Sequence, residues 1–170
     1  SKPLGCYGDG GAIFTSDDAL AQACREIRVH GQSRRYTHTR VGVGGRMDTL
    51  QCAVVLAKLE RFDWEVAQRQ QLGARYNSLC DAAGIARMAQ RAERSSVFAQ
   101  YTVRVPERAQ VQEKLKAAGI PTAVYYPVPL NKQQAYAGRC HRPTPVADQL
   151  AAEVMSLPMS ADLQPQEQDA

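Results

Sequence analysis

The longest regular pattern in the sequence is a helical region that runs from Asp48 to about Ala83. Its apolar residues recur at the spacing of one helix face. They are Leu50, Val54, Leu59, Phe62 and Val66. Asp63 is suited to begin a second helix after a kink, and Gly84 is suited to end it. The pattern predicts connecting helices over residues 48–83, which separate an amino-terminal part of the chain from a carboxy-terminal part.

The carboxy-terminal part shows the pattern of a β-α-β unit over Ser96–Pro127. The stretch SVFAQYTVRVP alternates apolar and polar residues, which predicts a half-buried strand. The stretch ERAQVQEKLKAAG predicts an amphipathic helix that ends at Gly119, and IPTAVYYP predicts a second strand. Two further helices are predicted, one over TPVADQLAAEVMSLP with Thr144 as its N-cap and one that begins at Pro165. This mixture of elements indicates an α/β fold.

The amino-terminal part joins short elements through glycine-rich segments. Residues Gly11–Thr15 predict a short strand, and a helix follows with Ser16 as its N-cap and Gly31 as its end. The segment Gln32–Arg46 is polar, basic and rich in glycine, so the sequence predicts a long loop there. A loop of this length in a compact domain is often functional.

The composition of the 170 residues disfavours several classes of protein. No apolar run is long enough to span a bilayer. The net charge of +4 is mild. The tightest basic cluster, Arg34 and Arg35 with Arg40, favours anion recognition or a solvated surface over a nucleic-acid interface.

The cysteines and histidines predict neither a disulfide framework nor a metal site. Five cysteines are widely spaced and odd in number, without a C-x-x-C motif. His30, His38 and His141 lack the spacing of metal ligands. We therefore expect no metal and a reduced, cytoplasmic setting.

The chain opens with SKPLGCYGDGGAIFT, in which a lysine precedes a glycine-rich loop. Taken alone, Lys2 is an exposed terminal lysine and the loop is a tight turn, because the loop matches neither the phosphate-binding nor the dinucleotide-binding glycine motif. The alternative is a position inside an active site. So abrupt a start also leads us to expect that the chain is a piece of something longer.

Three separated blocks, taken together, resemble the DegT/DnrJ/StrS family of nucleotide-sugar aminotransferases. The blocks are SKPLGCYGDGGAIFTSDD, HGQSRRYTHTRVGVGGRMDTLQCAVVLAKLE and GIPTAVYYPVPLNKQ. The resemblance covers essentially all of the chain. It is closest to members that aminate a 3-keto UDP-N-acetylhexosaminuronic acid for surface polysaccharides such as O-antigen. It implies fold type I of the enzymes that use pyridoxal 5'-phosphate, which is the aspartate-aminotransferase-like architecture.

The resemblance also implies a division of the chain and a set of partners. Residues 1–47 would end the large, cofactor-binding domain and contain a long inter-subunit loop, and residues 84–170 would form the small α/β domain. In the family the preceding part of the protein supplies the residue that stacks on the cofactor ring, the aspartate at the pyridinium nitrogen and most phosphate ligands. The implied enzyme is a homodimer with shared active sites, which moves an amino group from glutamate to a keto nucleotide-sugar, with neither nucleic acid nor membrane as partner.

The resemblance assigns the cofactor contacts to two residues of this chain. Lys2 matches the lysine that binds the cofactor covalently and acts in catalysis. Gly44 stands where the family usually has an asparagine that reaches the cofactor phosphate of the neighbouring subunit, so only its backbone N–H is available for that contact.

Three further residues are implied to bind the substrate. Arg46 has a planar guanidinium that suits a carboxylate or a phosphate, although taken alone it is a surface arginine at a helix start. Tyr126 keeps its match to the family, whereas Tyr125 replaces a histidine and can donate a hydrogen bond but cannot become cationic. Taken alone, the two tyrosines are as well explained by strand packing.

The substitutions at Gly44 and Tyr125 keep a second interpretation open. In that interpretation a catalytically impaired family member binds nucleotide-sugars or serves a regulatory role. Lys2 favours transamination, because the relatives that act as sugar dehydratases lack this lysine. The identity of the keto sugar and the keto position stay open at this stage.

Overall fold

A computed structural model describes residues 2–139 and 142–170, so Ser1, Cys140 and His141 lie outside the description. The chain divides into two compact units, Ser1–Phe62 and Asp63–Ala170. We call them the first unit and the second unit. The helix α2, Thr49–Ala83, contains the boundary.

The first unit contains the helix α1, Asp18–Ile27, and a two-stranded antiparallel hairpin. Asp17 caps α1, because its carboxylate accepts a hydrogen bond from the Leu20 N–H at 3.0 Å. The predicted N-cap, Ser16, is therefore wrong by one residue. The helix ends at Ile27, so the predicted end at Gly31 is wrong as well; Gly31 lies in the turn that follows, with a positive φ of 75° that a glycine adopts without strain.

Two predictions for the first unit are wrong. Gly11–Thr15 does not form a strand, because no segment of the described chain pairs with it, and its Phe14 side chain is 93% exposed. The segment Gln32–Arg46 is not wholly a loop, since the strands β1, Gln32–Arg34, and β2, Thr37–His38, form the hairpin within it.

The helix α2 is continuous, so the predicted second helix at Asp63 is also wrong. It ends before Gly84, as predicted, where φ is +67°. The predicted apolar stripe is not buried in the first half of α2, since Leu50 and Leu59 are exposed. The buried residues of α2 all come later along the helix, and they are Arg69, Leu72, Gly73, Tyr76 and Cys80.

The second unit is an antiparallel three-stranded sheet with helices. The strands, in spatial order, are β3, Ala86–Arg87, β4, Tyr101–Arg104, and β5, Val154–Leu157. The helices are α3, Arg108–Ala117, α4, Pro145–Glu153, and α5, Pro165–Asp169, with single 3₁₀ turns at Leu130–Lys132 and Gln134–Tyr136. The core cluster consists of Tyr76, Cys80, Tyr101, Val103 and Met155.

The predicted alternation in the second unit is confirmed over a shorter length. In β4 Tyr101 and Val103 are buried, while Thr102 and Arg104 are half-buried. The strand does not reach back to Ser96, because Phe98 has a positive φ of 41°, which interrupts an extended backbone.

The second predicted strand is only an isolated bridge, in which Ala123 pairs with Ser156. The helix predicted through Pro158 ends at Glu153, because the residues after it form β5 and pair with β4 from Tyr101 to Arg104. The helix that is predicted to end at Gly119 is confirmed as α3, which ends at Ala117. The helix that is predicted to begin at Pro165 is confirmed as α5, which has a capping box. Within residues 2–139 and 142–170, no helix has both the length and the apolar character to cross a membrane.

Candidate active site

The glycine-rich loop after Lys2 is attached to the first part of α2. The Tyr7 N–H donates to the Gln51 side-chain oxygen at 2.7 Å, and the Lys58 ammonium donates to the Gly5 carbonyl at 2.5 Å. Lys58 also lies 4.8 Å from the centre of the Tyr7 ring, a distance at which a cation and an aromatic ring attract each other. Lys2 itself is exposed, at the start of a loop whose position is set by these contacts.

Gly10 lies where the loop approaches itself closely. A Cβ at this position would lie 2.8 Å from the Cys6 sulfur and 3.2 Å from the Met47 methyl carbon. The Cys6 thiol donates to the Gly8 carbonyl at 3.0 Å, which closes the turn. A side chain at this position would therefore have to displace the Cys6 sulfur and the Met47 side chain.

A cavity of about 900 Å³ lies within the first unit, and Arg46 is on its wall. Arg25 and Arg28 line the same cavity, whereas Asp9 is the one acidic residue among the described lining residues. Within residues 2–139 and 142–170, none of the three guanidinium groups forms an ion pair. Three arginines against one carboxylate favour an anionic ligand.

Sequence reasoning found Arg46 but missed Arg25 and Arg28. Both lie at the end of α1, three residues apart, which places them on neighbouring positions of one helix face. Arg46 lines the same cavity as these two residues because the hairpin brings the chain back toward α1. The signal available in the sequence was the excess of arginine between residues 25 and 46.

Gly44 pairs with Val29 in an isolated antiparallel bridge. A Cβ on Gly44 would lie 3.2 Å from Cε1 of the His30 ring, so His30 occupies the space that a side chain at position 44 would enter. The neighbouring bonds run from His30 N–H to the Val43 carbonyl and from Gly45 N–H to the Arg28 carbonyl. In the described part of the chain, no backbone bond uses the Gly44 N–H, which stays available for a ligand.

The hairpin is connected to α1 through Glu26. The buried Glu26 carboxylate accepts hydrogen bonds from the Arg40 guanidinium at 2.9 Å and from the Gln22 amide at 2.9 Å. The bond from Gln22, followed by that from Arg40, holds the pKa of Glu26 below its usual value. Gly31 packs against the Arg40 carbonyl so closely that a Cβ would overlap it. These contacts set the path that the chain takes toward Gly44 and Arg46.

Tyr125 and Tyr126 lie in the second unit, where they line a separate cavity of about 610 Å³. Their side chains are 43% and 74% exposed, and their rings are 6.2 Å apart in an edge-on arrangement. Lys2, Gly44 and Arg46 thus all belong to the first unit. Arg46 lines its cavity, whereas Lys2 and Gly44 are not among the described lining residues. The two tyrosines belong to the second unit.

The first unit offers two of the groups that pyridoxal phosphate requires. Lys2 presents an exposed primary amine, which is the group that forms a covalent bond with a carbonyl cofactor. The Gly44 N–H offers a hydrogen-bond donor that suits a phosphate, and the arginine-lined cavity, whose described lining does not include Gly44, offers positive charge to an anionic group. The residues present therefore fit the cofactor at its covalent attachment and at one anionic contact.

Comparison with known proteins gives a match over the whole chain. A model of the DegT/DnrJ/EryC1/StrS aminotransferase family matches residues 1–170. A relative from Pseudomonas aeruginosa, UDP-2-acetamido-2-deoxy-3-oxo-D-glucuronate aminotransferase, is 57% identical over 159 residues, which cover 94% of this chain and 44% of the relative. A pleiotropic regulatory protein from Geobacillus stearothermophilus is 40% identical, over 99% of this chain and 46% of its own length.

The fold also matches solved structures over nearly the whole chain. The crystal structure of a DegT DnrJ EryC1 StrS aminotransferase from Brucella abortus superposes with a TM-score of 0.92 at 38% identity, over 98% of this chain and 45% of that one. The predicted α/β fold of type I is therefore confirmed. This chain spans less than half of the length of the proteins that it matches.

Proposed function

The chain belongs to the DegT/DnrJ/EryC1/StrS aminotransferase family, and from that premise we propose that the full-length protein is a pyridoxal-phosphate-dependent sugar aminotransferase. Its amino donor is glutamate, and its acceptor is a keto nucleotide-sugar, specifically a 3-keto UDP-N-acetylhexosaminuronic acid. The observation that carries this proposal is Lys2, which precedes the glycine-rich loop in a chain 57% identical to an aminotransferase that acts on a 3-oxo-glucuronate. The product would serve the synthesis of a surface polysaccharide such as O-antigen, in the cytoplasm.

Lys2 has two tasks in this proposal. Its amine would hold the cofactor covalently, and once released the same Nζ would accept the proton from the α-carbon of glutamate and carry it as the general acid–base of the exchange. Bound pyridoxal phosphate supplies the sink for the electrons of the broken bond. Lys2 is exposed, at the edge of a loop that the Lys58–Gly5 hydrogen bond anchors.

The test for Lys2 combines trapping with mutation. Borohydride reduction of the holoenzyme, followed by peptide mapping, should place the pyridoxyl group on Lys2 and leave Lys58 and Lys132 unmodified. Lys2→Ala should abolish turnover, whereas Lys58→Ala should retain the covalent cofactor. A pyridoxyl group on another lysine would end the assignment.

Arg46 binds an anionic group of the acceptor, which we propose to be the uronate carboxylate. The arginine-rich wall of its cavity supports an anion there, and a guanidinium can bind a carboxylate through two parallel hydrogen bonds. Tyr126 contacts the sugar or the diphosphate, and Tyr125 donates a hydrogen bond where the family usually has a histidine. The Gly44 N–H contacts the cofactor phosphate of the neighbouring subunit.

Arg46→Ala tests the acceptor. Truncation of one partner of such a charge pair costs about 2–5 kcal/mol. The variant should therefore lose much more activity with the keto-uronate than with a neutral keto-hexose on the same nucleotide. Arg46→Lys should recover only part of the loss, and Arg91→Ala, at an exposed position of the second unit outside the segment Gln32–Arg46, should lose little. Equal losses with both sugars would assign Arg46 to the nucleotide, the cofactor or the fold.

We propose that the full-length protein is a homodimer with shared active sites. The basic, glycine-rich segment Gln32–Arg46 supports a role across the interface, because its arginines are mostly exposed. A mixture of full-length Lys2→Ala and Arg46→Ala variants should regain activity through hybrid dimers. Absence of recovery, with hybrids shown to form by mass spectrometry, would count against shared sites.

The alternative function is a binding or regulatory protein with impaired catalysis. Its support is the absence of an asparagine at Gly44 and of a histidine at Tyr125, together with the relative named as a regulatory protein. The higher identity to an aminotransferase favours the enzyme. The visible absorption of bound cofactor, and its change on addition of glutamate, distinguishes the two functions.

A further inference from the structure

The cavity of about 610 Å³ in the second unit is bounded by the sheet, by α4 and by the segment that carries the two tyrosines. Thr102 of β4 and Val154 of β5 form its floor, and Ala147 and Leu150 of α4 form one side. Its volume lies within the range typical of pockets for small organic ligands. Its lining includes Tyr126, which the proposed function assigns to the nucleotide-sugar.

The lining of this cavity differs chemically from that of the first unit. Among its described lining residues none is charged, whereas the cavity of the first unit has three arginines. The polar groups are few. The Thr102 hydroxyl is already bonded to the Ser156 hydroxyl at 3.1 Å, and the Gln133 amide donates to the Val128 carbonyl at a long 3.4 Å. Burial of a phosphate or carboxylate against such a wall would carry a large desolvation penalty.

A nucleotide-sugar has only one large part that suits this wall. The hexuronate, the diphosphate and the ribose are charged or rich in hydroxyls. The nucleobase is flat and neutral, and it has apolar faces with hydrogen-bonding groups confined to its edge. We propose that this cavity, which rests on the proposed function for its ligand, binds the nucleobase of the nucleotide-sugar, with its faces against apolar and tyrosine side chains.

Gln133 is the residue suited to read the base edge. Its amide carries both a donor and an acceptor, which match the adjacent carbonyl and N–H groups of uracil. Its side chain is exposed, and its one bond within the described chain is long, so little is lost when it turns to a ligand. Tyr125 and Tyr126 are exposed enough to stack or to donate a hydrogen bond.

The experiment fills the cavity with a larger side chain, introduced at an exposed position of its lining. Ala147 lies on the solvent side of α4 and lines the cavity, so Ala147→Trp places an indole in the space without removal of a core residue. Val146 precedes it on the same helix, is exposed and is not among the lining residues, so Val146→Trp is the matched control. Dissociation constants of UDP, uridine and pyrophosphate are measured calorimetrically with the full-length holoenzyme and both variants.

We expect Ala147→Trp to weaken UDP and uridine at least tenfold and pyrophosphate less than twofold. Val146→Trp should change none of the three by more than twofold. Unchanged binding of UDP and uridine to Ala147→Trp would overturn the proposal, as would weakened pyrophosphate with unchanged uridine. Absence of uridine and UDP binding to the unmodified protein would overturn it as well.

A second variant covers the case in which the tryptophan disturbs the fold. Gln133→Leu keeps the size of an exposed side chain, and it should weaken uridine several-fold and reduce the preference for uridine over cytidine. An unchanged preference would remove Gln133 from the site and contradict the proposal. The glutamate-driven spectral change of the unmodified holoenzyme tests the proposed function separately, because glutamate carries no base.

Discussion

The two units of the chain bury their apolar side chains to very different extents. In the second unit Tyr76, Val103 and Met155 are buried in one core cluster. In the described part of the first unit, the buried residues are Glu26 and Gly31, while Phe14 and Val41 are 93% and 96% exposed. The second unit therefore has its own hydrophobic core, and the first unit is organised mainly by backbone turns and the Glu26 hydrogen bonds.

This difference separates the stability of the chain from its candidate chemistry. The proposed catalytic and cofactor residues lie in the first unit, where no apolar side chain is buried among the described residues. Exposed apolar residues in such number are typical of a surface that another part of a protein or another subunit covers. The proposed homodimer, with its shared active sites, would cover such a surface.

The largest effect should come from the core of the second unit. Met155→Ala removes a buried side chain and should lower the free energy of unfolding by about 2–5 kcal/mol. Urea unfolding followed by the fluorescence of Trp64, the single tryptophan, measures it. Met88→Ala, at an exposed position of the same unit, is the control and should cost less than about 0.5 kcal/mol. Equal losses for the two variants would contradict the assignment of the core.

A smaller loss in the free energy of unfolding is expected at Gly73, where the Phe98 ring packs onto α2. A Cβ on Gly73 would lie 2.4 Å from the Phe98 ring, so Gly73→Ala must displace that ring. Overpacking of this kind costs about 1–3 kcal/mol. In the first unit, a Cβ on Gly11 would have no neighbouring atom within 4 Å, so Gly11→Ala serves as the control. The comparison fails if Gly11→Ala is the more destabilising of the two.

The first unit should respond to pH through Glu26. The pKa of Glu26 in the folded chain is held below its usual value of 4.5. The hydrogen bonds of its carboxylate therefore stabilise the fold fully above pH 4.5, and this stabilisation is lost as the pH falls through the lowered pKa of the folded state. Amide hydrogen exchange at Thr39 and Arg40 should therefore accelerate below pH 4.5. Glu26→Gln should remove this pH dependence. Exchange that stays constant down to acid unfolding would show that Glu26 does not hold the hairpin.

The smallest effect should be found at Phe14. Because its side chain is 93% exposed, Phe14→Ala should change the free energy of unfolding of this chain by less than about 0.5 kcal/mol. The same substitution in the full-length protein should cost about 3–5 kcal/mol if the residue is buried there. A loss above 1 kcal/mol in this chain would reveal a core in the first unit and erase the contrast between the units.

The sequence by itself determined the elements whose signals are local. The helix start at Pro165, the stop at Gly84 and the alternation around Tyr101 and Val103 depend on neighbours along the chain. The family blocks likewise identified the α/β fold, and they predict Lys2, Gly44, Arg46, Tyr125 and Tyr126 as site residues. Such signals are available without knowledge of what the elements pack against.

Only the tertiary structure decided where pairing partners exist. Val154–Leu157 continues a helical pattern, yet it is a strand because β4 offers hydrogen bonds along its whole length. Gly11–Thr15 has the composition of a strand, yet in the described chain it has no neighbour to complete a ladder. The convergence of Arg25 and Arg28 with Arg46 likewise depends on the hairpin that turns the chain back at Gly31. Strands and binding sites need contacts between residues far apart in sequence, and a local pattern does not contain them.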